Sequence, residues 1–180
     1  LVEAFFCFLP FLKNKNFYIC LNKNLMEKID SLNQVAEFHR TFNAPILDSP
    51  KIPSKERCDL RVLLLQEELD ELKQAIADND ITEVADALCD LQYVLSGAVL
   101  EFGLGNKFVE LFNEVQRSNM SKACSTQDEA DKTIEFYRNK GEDAYSETSG
   151  DKINVHRKTD RKVLKSVNYS PADLRSILEK

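Results

Sequence analysis

The 180-residue chain is poor in histidine, in paired cysteines and in positive charge. Its two histidines are His39 and His156, and neither stands in an E-x-x-H pair. That weighs against a ferritin-like di-iron centre, which takes a Glu-x-x-His from each of two helices. The five cysteines, Cys7, Cys20, Cys58, Cys89 and Cys124, are odd in number and include no C-x-x-C. No zinc spacing is present, and reduced thiols in a cytosol are the expectation. The net charge of −6 and pI near 5.1 are opposite to the basic field of a dedicated nucleic-acid binder. No internal repeat or low-complexity tract occurs. The apolar run within Leu1–Cys20 is interrupted by Glu3 and Pro10 and is shorter than the roughly 20 residues of a spanning helix. It also lacks the basic start and small-residue cleavage site of a secretory signal. Neither a nucleic-acid nor a membrane partner is therefore expected, and a cytoplasmic location is. Clean patterning begins at Met26, so residues 1–25 read as an appendage.

What the chain does have is 43% hydrophobic residues, enough for a core. Ile29, Leu32, Val35, Ala36 and Phe38 recur at helical spacing in a first helix over about 27–42. Pro45, Pro50 and Pro53 make the next stretch an extended linker. Ser54 is placed to cap a second helix over about 55–79. Its apolar positions, from Leu60 through Leu69 to Ile76, form more than one stripe and predict burial on more than one side. A third helix spans about 81–102, with Gly97 inside it as a mark of close packing and Gly103 as its stop. A fourth covers about 107–117, and Thr126 with Glu129 opens a fifth as a capping box. Residues 141–152 read as polar and mobile. After them, 152–167 predicts a hairpin or extended arm with Asp160-Arg161 in the middle, and Ser170-Pro171 opens a short last helix. The expected fold class is all-α: an antiparallel helical bundle over 26–140, followed by a linker, a small arm and a helix over 141–180.

Between Gln66 and Asp90 stand nine carboxylates and one lysine. Glu67, Glu68 and Glu71 form E-E-x-x-E on the second helix. Glu83 and Asp86 form E-x-x-D on the third, and Asp90 lies one turn further. Steps of three and four keep side chains on one helix face, and a short turn makes the two helices antiparallel neighbours. Like charges about 5 Å apart repel by about 3 kcal/mol per pair at an effective dielectric near 20. Such a cluster is costly without a cation. Ligands that are all oxygen suit a hard ion, Mg²⁺ or Mn²⁺. The plainer alternative is a solvated acidic face.

The paired motif, the flanking EVADALCDLQYVLSGAV and the later EVQRSNMSK resemble the all-α nucleoside triphosphate pyrophosphohydrolase superfamily. Its branches include MazG proteins, the all-α dUTPases and phosphoribosyl-ATP pyrophosphohydrolase. The resemblance covers about 26–139. It implies a Mg²⁺-dependent enzyme that cuts a nucleoside triphosphate between the α and β phosphates, giving monophosphate and pyrophosphate. By position it implies Glu68, Glu71, Glu83 and Asp86 as metal ligands, Glu67 as the carboxylate that orients or deprotonates water, and Asp90 as a holder of a second metal through water. A triphosphate and a cluster of carboxylates are both negative, and bridging cations reconcile them.

Three further groups have both a functional and a plain reading. Arg117, Asn119 and Lys122, in RSNMSK, could reach phosphate oxygens or form a polar loop. Gln34, His39, Phe42 and Asn43 could line a base pocket or sit on an ordinary amphipathic helix with His39 at the surface. His156, Arg157, Lys158, Arg161, Lys162 and Lys165 could close over phosphates or form a solvated strand face. The alternative functions are a phosphoribosyl-ATP pyrophosphohydrolase of histidine synthesis and a non-catalytic metal-binding bundle. Broad apolar helix faces predict a homodimer or a dimer of dimers.

Overall fold

The computed structural model describes residues 29–180. The appendage expected at 1–25, the start at Met26 and the first residues of the first helix lie outside them. The described residues form two compact units, one over 29–110 together with Lys180 and one over 111–179. The secondary structure is of the class the patterning predicts: six helices and a small two-stranded hairpin among the described residues. No helix among them is long and apolar enough to cross a membrane.

The first unit is built on α1 (Ser31–Thr41), α2 (Lys55–Ala77) and α3 (Ile81–Glu101). Asn43 leaves α1 at φ 56°, a left-handed conformation that asparagine adopts more readily than most residues. The proline-containing segment then runs along the end of α3. Leu47 N donates to Leu100 O at 3.0 Å and Lys51 N to Phe102 O at 3.1 Å. Gly103, at φ 67°, permits this approach: a Cβ there would stand 1.9 Å from Ser49 O. Gly103→Ala is expected to cost about 1–3 kcal/mol through the positive φ alone, with the clash adding to it. A fall in the thermal midpoint would report it, and an unchanged midpoint would refute the account.

Between α2 and α3 the chain reverses at Asn79, φ 55°. Asp80 caps α3 by accepting from Thr82 N at 2.9 Å and Glu83 N at 3.2 Å. α2 and α3 are the most closely associated helix pair, and α1 packs on α3 through Val35, Ala36 and Leu100. Burial of α2 on more than one side is not found. Its buried residues are Arg61 and Ala75, while Leu63 and Ile76 are each 62% exposed. Among the described residues, nothing covers the rest of the wide apolar stripe. Ser54 takes the N-cap position without a capping side-chain bond.

The boundary between the units falls inside α4 (Phe108–Met120). The second unit continues with α5 (Gln127–Arg138), β1 (Ala144–Ser149), β2 (Lys152–Arg157) and α6 (Leu174–Leu178). Thr126 Oγ1 accepts from Glu129 N at 3.2 Å, as a capping box requires, but Glu129 reaches back to Ser125 N rather than to Thr126 N. Cys124, Ala130, Val155 and Leu164 form the core. The hairpin is displaced from the expected position. β1 lies in 141–152, the segment read as mobile, and the turn is at Gly150, φ 61°. The sequence AYSETS shows no apolar alternation because half of the strand is exposed. Asp160-Arg161 instead turns the chain after β2, with Arg161 at φ 60° and Asp160 Oδ1 accepting from Lys162 N. The last helix is capped by Asp173, not Ser170, because the Asp173 carboxylate accepts both the amide and the hydroxyl of Ser176.

Candidate active site

The antiparallel pairing of α2 and α3 dictates which acids meet. Glu68 lies eleven positions before Asn79 and Asp90 eleven positions after it, so the two are level across the hairpin. Glu71 and Asp86 are level one turn nearer the reversal. Glu83 follows Asn79 by only four positions, which places it about 10 Å along the axis from the level of Asp90 at 1.5 Å per residue.

The electrostatics follow this ladder. The Glu68 carboxyl is held above its ordinary pKa, first by partial burial and then by the negative charges of Asp90, Glu71, Glu67 and Asp86. Glu68 and Asp90 are partly buried at the seam, whereas Glu67, Glu71, Glu83 and Asp86 are exposed. Four of the other five predicted acids therefore act on Glu68. Glu83, nearer the turn, is not among the charges that shift it.

The donor set suits a hard divalent cation: it is oxygen throughout, and its mutual repulsion is what a cation relieves. The carboxylates are gathered without being closed into a ligand shell. Among the described residues, no three His, Cys, Asp or Glu side chains are arranged to hold one ion. Repulsion accounts for the spreading, and exposed side chains change rotamer within nanoseconds.

A buried ionic core supports the seam. Glu101, with its side chain 1% exposed, accepts from Arg61 Nη2 at 2.9 Å and from Arg57 Nη2. Arg61 Nη2 also stands 3.3 Å from His39 Nε2, and His39 Nδ1 is 2.8 Å from Pro45 O. Arginine only donates, so Nε2 is the acceptor and Nδ1 the donor. His39 is thus buried, contrary to the expectation of a surface histidine, and is committed to structure. Gly97 is where this cluster crosses α3: a Cβ there would lie 2.8 Å from Arg61 Nη1 and 3.0 Å from His39 Nε2. Sequence reasoning passed over Arg57, Arg61 and Glu101. For Arg61 and Glu101 the available signal was one charge inside each of two apolar runs, LRVLLL and AVLEFG.

The remaining candidates are spread out. Gln34, in the first turn of α1, and Phe42 and Asn43, just past its end, are exposed. Phe42 packs against Phe38 with ring centroids 4.4 Å apart and the rings tilted by 41°, and Phe38 meets Tyr93 edge-on at 5.6 Å. Arg117, Asn119 and Lys122 belong to the second unit. There Arg117 donates to both oxygens of Glu114 at 2.8 Å and to Pro171 O at 2.9 Å. The Arg117 hydrogen bonds, followed by the one from Asp173 N, hold the Glu114 carboxyl at about 2. Lys122 Nζ donates to Asn119 Oδ1 at 2.9 Å.

Residues 35–119 match the family described as phosphoribosyl-ATP pyrophosphohydrolase. This segment is similar to that family, a member of the MazG-like all-α pyrophosphohydrolase superfamily. An uncharacterized protein of Acanthamoeba polyphaga mimivirus is 35% identical over 82 residues, or 43% of this chain and 33% of that protein. The chain spans about a third of that relative's length. The MazG-like segment contains all six acids, His39, Phe42 and Asn43, and it ends at Asn119, before Lys122. The matched family is, by its description, one of pyrophosphohydrolases acting on a nucleotide-like substrate.

Proposed function

We propose that the chain hydrolyses a nucleoside triphosphate between the α and β phosphates, releasing monophosphate and pyrophosphate. The observation that supports this reading is the set of five carboxylates from two adjacent helices acting around Glu68. Glu68, Glu71, Asp86 and Glu83 would hold Mg²⁺ or Mn²⁺, and Asp90 a second ion through water. Bound there, the metal would polarise the phosphorus and lower the pKa of water. Exposed Glu67 sits beside Glu68 without belonging to the seam, and its carboxylate oxygens are the proposed acceptors of the proton of the attacking water. Lys122 and Asn119 have the cation and amide chemistry for phosphate oxygens. Arg117 is held by Glu114 and would have to leave it to do the same.

The nucleobase is proposed to stack on Phe42, which is 65% exposed beside Phe38 and Tyr93, with Gln34 and Asn43 offering amides to its edge. Base stacking on an aromatic is worth about 1–3 kcal/mol. Phe42→Ala is therefore expected to raise KM about tenfold and to leave kcat nearly unchanged. Equal KM values would remove Phe42 from the site.

The description of the matched family supports a second substrate, phosphoribosyl-ATP, cut by the same carboxylate chemistry. Both readings are tested by one assay. Pyrophosphate release is measured over common and modified nucleoside triphosphates and phosphoribosyl-ATP, with Mg²⁺, with Mn²⁺ and with neither. Turnover of a nucleoside triphosphate only with the cation is the expected result. Turnover of phosphoribosyl-ATP alone would select the second reading, and no turnover of any substrate would refute both.

A further inference from the structure

Six apolar residues on the α2–α3 hairpin stand in two rows of equal interval. Val62, Leu69 and Ile76 on α2 and Ile81, Leu88 and Leu95 on α3 are each seven positions apart. Seven residues fall within about 20° of two full turns, so each row runs nearly parallel to its helix axis. The rows are also level. Ile76 precedes Asn79 by three positions and Ile81 follows it by two, and the same offset holds for Leu69 with Leu88 and for Val62 with Leu95. The hairpin thus carries three apolar rungs, about 10 Å apart at 1.5 Å per residue. All six side chains are between 37% and 79% exposed. The rungs and the acids occupy opposite faces. At about 100° per residue, Glu67 and Leu69 diverge to either side of Glu68, and Asp86 and Leu88 to either side of buried Ala87. Because the helices are antiparallel, both acids fall on one face of the hairpin and both leucines on the other.

Area and spacing narrow the occupant. Each of the six leaves on the order of 100 Å² uncovered. The face then comes to about 600 Å², the upper end of what a monomer ordinarily shows and close to the roughly 800 Å² per partner of a stable interface. A seven-residue apolar repeat is the pattern by which helices pack on helices at about 20°. The partner must therefore be helical and carry apolar rows at the same interval, as this face itself does. Two copies related by a two-fold axis set rung against rung, and only the in-register pairing buries all three. Charge does not oppose it, although the net charge is −6. The outer edge of the α2 row carries the paired Lys55–Asp59 and Lys73–Asp70, and Ala85 and Gln92 on the outer edge of the α3 row are neutral. We propose that the face of Val62, Leu69, Ile76, Ile81, Leu88 and Leu95 binds the same face of a second copy of this chain, which joins two α2–α3 hairpins into a four-helix bundle and leaves the acidic face of each hairpin outside the contact.

The test is sedimentation of the full chain over a range of concentrations from low micromolar upward. EDTA is present, which keeps the outcome independent of any metal at the acids. A species of twice the chain mass is expected. Leu88→Glu, in the middle rung, and Ile81→Glu, in the first turn of α3 where a carboxylate is favourable, are each expected to keep the helical circular dichroism. Each is expected to raise the dimer Kd at least about a hundredfold, because a two-fold interface carries every substitution twice. Ile81 is the most exposed of the six, so its variant carries the test even where Leu88→Glu does not fold. Ile52→Ser, at a comparably exposed apolar position outside the rungs, is expected to leave the Kd unchanged. The proposal is overturned if the full chain is a monomer at every concentration, whatever else covers the rungs, if the folded glutamate variants associate as tightly as the wild type, or if Ile52→Ser dissociates the dimer as they do.

Discussion

Glu68→Gln is expected to lower pyrophosphate release at least about a hundredfold while raising the thermal midpoint of the metal-free protein. Glutamine keeps the size of the side chain and removes its charge. Activity falls because an amide is a poor ligand for Mg²⁺ beside three competing carboxylates. Stability rises because Glu68 is the group on which Asp90, Glu71, Glu67 and Asp86 act. A carboxyl whose folded pKa is raised binds its proton more tightly in the native than in the unfolded chain. Its contribution is therefore unfavourable at neutral pH and improves as pH falls through its folded pKa. The glutamine variant should lose that part of the pH dependence and match the protonated wild type. Mg²⁺ should raise the midpoint of the wild type more than that of the variant, by mass action. The three proposed classes separate here. A structural metal predicts that the variant is less stable and poorly folded, and a solvated acidic face predicts no response to Mg²⁺ at all. A stable variant with full turnover would remove Glu68 from the chemistry.

The acidic seam was legible because helix spacing and a short turn leave little freedom. Once Glu68 and Asp90 are equidistant from Asn79, their levels are set by the rise per residue alone. The same count shows why Glu83 stands apart, although the E-x-x-D pattern groups it with Asp86. The ion pair beneath was not legible. Arg61 and Glu101 are far apart in sequence and lie on two helices, and neither has a local pattern that names the other. Charged residues are so often at surfaces that a single one in an apolar run reads as exposed. His39 was misplaced for the same reason, since its partners are Pro45 O and Arg61. β1 was missed because AYSETS is polar, and its pairing with β2 is a non-local property. Gly97, by contrast, announced close packing, and it is where Arg61 and His39 meet α3.

Glu101→Ala is expected to destabilise the protein by about 3–5 kcal/mol, because it leaves the Arg61 charge buried without its partner. Arg61 is 8% exposed and cannot reach water without unpacking α2 from α3. Arg61→Met together with Glu101→Leu should recover much of the loss, since apolar residues of similar volume often replace a buried pair without penalty. A double variant no more stable than Glu101→Ala would show that the cost lies in packing rather than in the orphaned charge. The pH dependence supplies a second readout of opposite sign to that of Glu68. Burial by itself pushes the Glu101 carboxyl up, but the hydrogen bonds and charges of Arg61 and Arg57 more than reverse this, and the group is lowered overall. Its stabilisation is present above the ordinary carboxylate range and is lost as pH falls through the folded pKa. Wild-type stability should therefore fall in acid with a slope that the double variant lacks, while the part due to Glu114, held at about 2 beside Arg117, is the same in both. Glu101 should affect turnover only through the folded fraction. A lower kcat in fully folded double variant would instead mean that the ion pair holds Glu68 and Asp90 level across the hairpin, making Glu101 a positioning residue for the site.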